Sequence, residues 1–141
     1  MGLNPQESST AVFGMSDGLV ASLAIVLVAS GGGRHIVLLA LFGLLVAEGF
    51  GMAASQYLAD PAVSVRKATI MGLSTAGSIL LVGSPWLFVG GNLAELLSVG
   101  VGVGVASVVA WMRPQGWQAW AQTFAILVAV ATIAAAAGRL G

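Results

Sequence analysis

Five stretches of about 20 mostly apolar residues follow one another along this chain, and a run of that length is what a bilayer demands of a spanning helix. The hydrocarbon core is about 30 Å thick and each helical residue rises about 1.5 Å. The runs cover approximately 11–30, 36–58, 68–89, 93–112 and 117–138. Short breaks separate them: Gly31-Gly32-Gly33-Arg34-His35, then Ala59-Asp60-Pro61, then Gly90-Gly91-Asn92, then Arg113-Pro114-Gln115-Gly116. A spanning β-barrel would need segments of about 10 residues alternating apolar and polar. These runs are continuous and longer. The expectation is an all-α integral membrane protein, a single five-helix domain over residues 1–141.

Composition agrees. Charged residues make up 7% of the 141, against about 25% in a soluble domain. Net charge is zero, so no basic field attracts nucleic acid. Without cysteine there are no disulfides, thiolate metal sites or thiol nucleophiles. The polar start, Met1 to Thr10, has no basic segment ahead of a cleavage site, so no cleavable signal peptide is read. Met1-Gly2 begins like a myristoylation signal, but Gln6 stands where Ser or Thr is needed. Without a Ser/His/Asp set, an HExxH or a phosphate loop, no enzyme is expected.

Orientation follows the basic residues of the short loops. With the N-terminus cytoplasmic, Arg66, Lys67 and Arg113 lie inside, and Arg34 and Arg139 outside. Tyr57, Trp86, Trp111, Trp117 and Trp120 fall near expected helix ends, at the headgroup level that suits amphipathic rings. Gly14 and Gly18 are four apart, as are Gly100 and Gly104, a spacing that lets helices approach closely in lipid. The same packing role is read for Val99-Gly100-Val101-Gly102-Val103, which lies mid-helix with no strand before it.

Two acids demand an account. An ionisable side chain in the membrane costs about 2.5–3.5 kcal/mol on insertion scales. Asp17 lies about six residues into the first run, about 9 Å deep, and Glu48 lies near the middle of the second. A turn centred on Arg34 would make these helices antiparallel neighbours and bring Asp17 level with Met52, and Ala21 level with Glu48. Glu48, Met52 and Gln56 share one face at i, i+4 and i+8. Carboxylate and amide oxygens with a thioether suit a transition metal better than magnesium or calcium. Carboxylates held out of water also take up protons more readily. A metal site that doubles as a proton site is the minimal chemistry of an exchanger.

Plainer roles stand beside these. Met52 fills core space in most contexts. Asp17 precedes Gly18 and can kink a helix, and Glu48 can be a protonated interhelical donor. Glu95 suits a helix N-terminus. His35 is read as a solvated turn residue. Ser74, Thr75 and Ser78 are read as bonding backbone carbonyls rather than lining a path.

Phe13-Gly14-Met15-Ser16-Asp17-Gly18-Leu19-Val20 resembles the first-helix "GANDGLVS" of the vacuolar iron transporter family, whose plant branch includes nodulin-like proteins. Glu48 to Leu58, EGFGMAASQYL, resembles that family's second-helix "GALSMAAGEYVS". The stretch around Leu87 and the tail from Phe124, ending AAGRLG, are similar to its third and fifth helices. The resemblance implies five membrane helices, a homodimer, and export of ferrous iron or manganese from the cytoplasm against protons. It assigns Asp17 and Met52 to the metal pathway. No tightly bound cofactor is implied, the ion being cargo. Three departures stand out. The family's acid-rich cytoplasmic insert between helices two and three is reduced to 59–67, as in nodulin-like members. Gln56 replaces a glutamate. Glu48 stands where a small residue is usual. The expected metal residues are therefore Asp17, Met52, Glu48 and Gln56, with lipid, protons and a second copy as partners. The absence of an organelle-targeting segment favours a bacterial inner membrane. A scaffold or partner subunit that transports nothing is the competing expectation.

Overall fold

The structure is a computed structural model that describes residues 2–59 and 64–138. All regular structure among them is helical: α1 Pro5–Ala29, α2 Arg34–Ala59, α3 Val65–Gly83, the short α4 Pro85–Phe88, α5 Gly91–Met112 and α6 Trp117–Gly138. Five of these, all but α4, are long and apolar enough to cross a membrane. The stop at Asp60-Pro61 and the terminal Arg139 lie outside the described residues.

Helix α1 starts at Pro5 rather than at Ala11. The Asn4 side chain accepts the Glu7 N–H at 2.8 Å, and the Glu7 carboxylate accepts the Asn4 N–H at 3.0 Å. This reciprocal cap satisfies two amides that the helix cannot. Proline at the first position costs nothing, because its missing N–H has no role there. Polar residues in the first turns hide this part of the helix from hydropathy.

The third apolar run is not one helix to 89. It ends at Gly83, and α4 restarts at Pro85. Proline has no N–H for the helical ladder and crowds the turn before it. The break swings α4 inward, and Trp86 becomes fully buried beside Val82 and Ala94 in the core. Trp86 is therefore not a headgroup anchor. Tyr57, Trp111 and Trp117 are more than half exposed and Trp120 less so, as the reading of interfacial rings requires.

Helix α1 is the hub and touches α2, α3, α5 and α6. Its most extensive contact is with α3, which also packs along α2. A Cβ on Gly14 would sit 2.7 Å from the Met71 carbonyl oxygen, and one on Gly18 would collide with the Thr75 carbonyl. Glycine at these positions brings the two backbones into direct contact. On the next face of α3, a Cβ on Gly72 would sit 2.6 Å from the Gly49 carbonyl oxygen of α2. Gly100 and Gly104 differ from the expectation. Among the described residues, nothing beyond the local backbone of the helix lies within 4 Å of a Cβ at either. Helix α5 turns Gly102, Val105, Ala106 and Val109 inward, and Gly102 meets Leu23. The inner glycine of that run packs, and its neighbours face outward.

Candidate functional site

Val37 and Leu41 are the only residues of α2 that are buried, so it lies at the edge of the bundle. Its half-buried residues include Leu45, Glu48, Gly49, Met52, Ala53 and Gln56. The face anticipated from the i, i+4, i+8 spacing is thus the face turned toward the other helices. Asp17 is likewise half-buried, at the middle of α1. Among the described residues, neither Asp17 nor Glu48 takes part in an ion pair.

Their relative height differs from the expectation. Ser30–Gly32 form a 3-10 turn, and Gly33, at φ 84°, completes the link in a conformation suited to glycine. Arg34 is already the first residue of α2. The hairpin is therefore centred between Ala29 and Arg34, not on Arg34. By residue count Asp17 then stands level with Val46, and Met52 level with Ala11. A second route agrees. Gly18 abuts Thr75 and Ser78, and Gly49 abuts Ala76. Asp17 therefore stands at the height of Ala76, and Ala76 at the height of Gly49. The two estimates bracket Glu48. The two membrane acids share one level, and Met52 lies one helical turn away along α2. Helices α1 and α2 touch less than either touches α3, so α3 is what sets this register.

The hydroxyls of α3 divide. Ser74 donates to the Ile70 carbonyl at 2.8 Å and Thr75 to the Met71 carbonyl at 2.9 Å, as anticipated. The Ser78 hydroxyl is buried without a partner among the described residues, as are the Ser98 hydroxyl and the Trp86 indole N–H. Ser22, also buried, donates to the Gly18 carbonyl at 2.6 Å.

Sequence reasoning missed the polar contacts at the membrane face where α1, α3 and α6 begin. Arg66 pairs with Glu7 at 3.0 Å, joining the start of α3 to that of α1. Arg113 donates to Gln122 at 2.8 Å, Gln115 at 2.7 Å and Thr123 at 3.3 Å. The Asn-x-x-Glu capping signature was readable at Asn4 and Glu7. The long-range pair was not. At the opposite face Arg34 donates to the Leu87 carbonyl, tying α2 to α4. His35 is exposed at the end of an apolar groove lined by Leu38, Phe42 and Ile79.

Among the described residues no group of three or more His, Cys, Asp or Glu is close enough to hold a metal ion. Comparisons with models of known families, with curated proteins and with solved structures return no match for this chain.

Proposed function

We propose that this protein is a divalent transition-metal transporter, carrying ferrous iron or manganese out of the cytoplasm in exchange for protons. One observation carries the reading. Asp17 and Glu48 are carboxylates at one height near the middle of two adjacent apolar helices, half-buried, with the Met52 thioether one turn away. Acids there are costly and mark ion paths. The resemblance of the Asp17 and Met52 segments to the vacuolar iron transporter family supports the same reading.

One chain supplies two oxygen ligands and a soft sulfur, fewer than a transition ion takes. A two-fold homodimer doubles the set, placing two copies each of Asp17, Glu48 and Met52 about one axis. Gln56, one further turn along α2, offers an amide oxygen toward the N-terminal membrane face. Carboxylates that bind a cation release their protons to do so, which couples metal to proton movement. The excess of Lys and Arg in the loops on the N-terminal side orients that face to the cytoplasm, in a bacterial inner membrane.

The test is transport in proteoliposomes. The wild type moves Fe2+ or Mn2+ with counterflow of protons, while Asp17→Asn and Glu48→Gln stop it without unfolding the protein. Equal transport by the wild type and both variants refutes the assignment. The second reading, a membrane scaffold, draws on Gln56 and the short 59–67 stretch, where the family it resembles has a glutamate and an acid-rich insert. A metal titration separates the two: a scaffold shows no binding that depends on Asp17 and Met52.

A further inference from the structure

We propose that Arg113 and the cleft beneath it, between α1 and α6, form a seat for the phosphate of an anionic phospholipid. Arg113 follows the last residue of α5 and is half-buried as a residue, its guanidinium meeting Thr123 on the inner side and Gln115 and Gln122 on the exposed side. All three of its side-chain acceptors, Gln115, Gln122 and Thr123, are neutral. They hold the group in a fixed orientation but leave its charge uncompensated. Three bonds also leave two of its five N–H groups without an acceptor among the described residues. Glu7, an acid at the start of α1, is engaged by Arg66 rather than by Arg113. Asp17 is next to Ser16 of the cleft in sequence, yet it does not pair with Arg113.

The cleft argues for a lipid rather than a free oxyanion. It has a volume of about 60 Å3, with Arg113, Ser16 and Thr123 as its polar lining. The other walls, Leu19, Val20, Ile126 and Leu127, are apolar. Inorganic phosphate has no use for those walls, whereas a phospholipid lays its first methylenes against them. Trp111 and Trp117, both largely exposed on either side of the turn, sit where rings mark the headgroup level. Among the described residues no acid lines the cleft to balance a cationic headgroup, which favours an anionic lipid over a zwitterionic one.

Native mass spectrometry of the full chain, in micelles holding equal phosphatidylglycerol and phosphatidylcholine, tests this. The wild type retains phosphatidylglycerol preferentially. R113Q lowers that retention by at least about ten-fold, the scale of a lost charge-assisted bond. K67Q removes the same charge from the same face and changes it by no more than about five-fold, as expected of a general surface field. I126W fills the cleft, leaves Arg113 in place, and abolishes the preference. The proposal is overturned if R113Q and K67Q behave alike, if I126W retains the lipid fully, or if phosphatidylcholine is held equally. It is also overturned as a lipid site if excess inorganic phosphate alone displaces the lipid.

Discussion

Gly72→Ala tests the packing that sets the height of the two acids. The added methyl would lie 2.6 Å from the Gly49 carbonyl oxygen and 2.9 Å from the Ala53 Cβ. Carbon–oxygen contacts between helices run at about 3.3–3.6 Å, so α2 and α3 must separate by roughly 0.7 Å or more. The obstructing atoms are backbone and Cβ, which no rotamer change can move aside. Overpacking of this kind costs about 1–3 kcal/mol. Against it stands the helix preference of alanine over glycine, about 1 kcal/mol. Gly100→Ala is the internal control, since a methyl there meets nothing within 4 Å and brings only the preference. The preference cancels in the comparison, so G72A is expected to be less stable than G100A by about 1–3 kcal/mol. Reversible unfolding in mixed micelles, followed by circular dichroism, measures the difference. Because Gly49 adjoins Glu48, G72A also displaces one acid from the level of the other, and under the proposed function transport falls in G72A but not in G100A. Equal stability of the two variants would falsify close α2–α3 packing and the register derived from it.

Further outcomes follow from other contacts. Ser98→Ala removes a buried hydroxyl that has no partner among the described residues and keeps the shape, so it is neutral or stabilising, whereas Ser22→Ala removes a bonded one and destabilises by about 1 kcal/mol in the same assay. With no native cysteine to remove, spin labels at 17 and 48 should report a shorter intramolecular distance than labels at 17 and 52, and the reverse order would restore a hairpin centred on Arg34. Asn4→Ala loses the helix cap and costs about 1 kcal/mol by thermal melting. Arg66→Gln costs less than about 1 kcal/mol, because Arg66 is 64% exposed and water screens its pair with Glu7.

The number of spans was legible because length and apolarity alone define a membrane helix, and neither depends on tertiary contacts. The face carrying Glu48, Met52 and Gln56 was legible for a similar reason, since it follows from helical periodicity. The register was not. Reading Gly31 to His35 as the turn placed its centre too late, because Arg34 and His35 carry charge and polarity yet belong to α2. The break at Ser84-Pro85 was passed over because the flanking residues stay apolar, although proline marked it. Which glycine pair packs was also beyond sequence alone. Gly14/Gly18 and Gly100/Gly104 have the same spacing, and only the chain's tertiary arrangement seats the first against α3 and leaves the second open.

The glycine contacts also restrict how such a protein could work as a machine. Gly14 and Gly18 seat α1 on the backbone of α3, and Gly72 seats α3 on the backbone of α2. Surfaces in backbone contact cannot slide without passing carbonyls over one another, so α1, α2 and α3 travel as one block. If the protein transports as proposed, an alternating-access cycle would have to be driven by movement of α5 and α6, or of one whole block against a second copy. Under the proposed function, Asp17, Glu48 and Met52 would keep their mutual spacing throughout, and what would change is the wall that shuts them off from water.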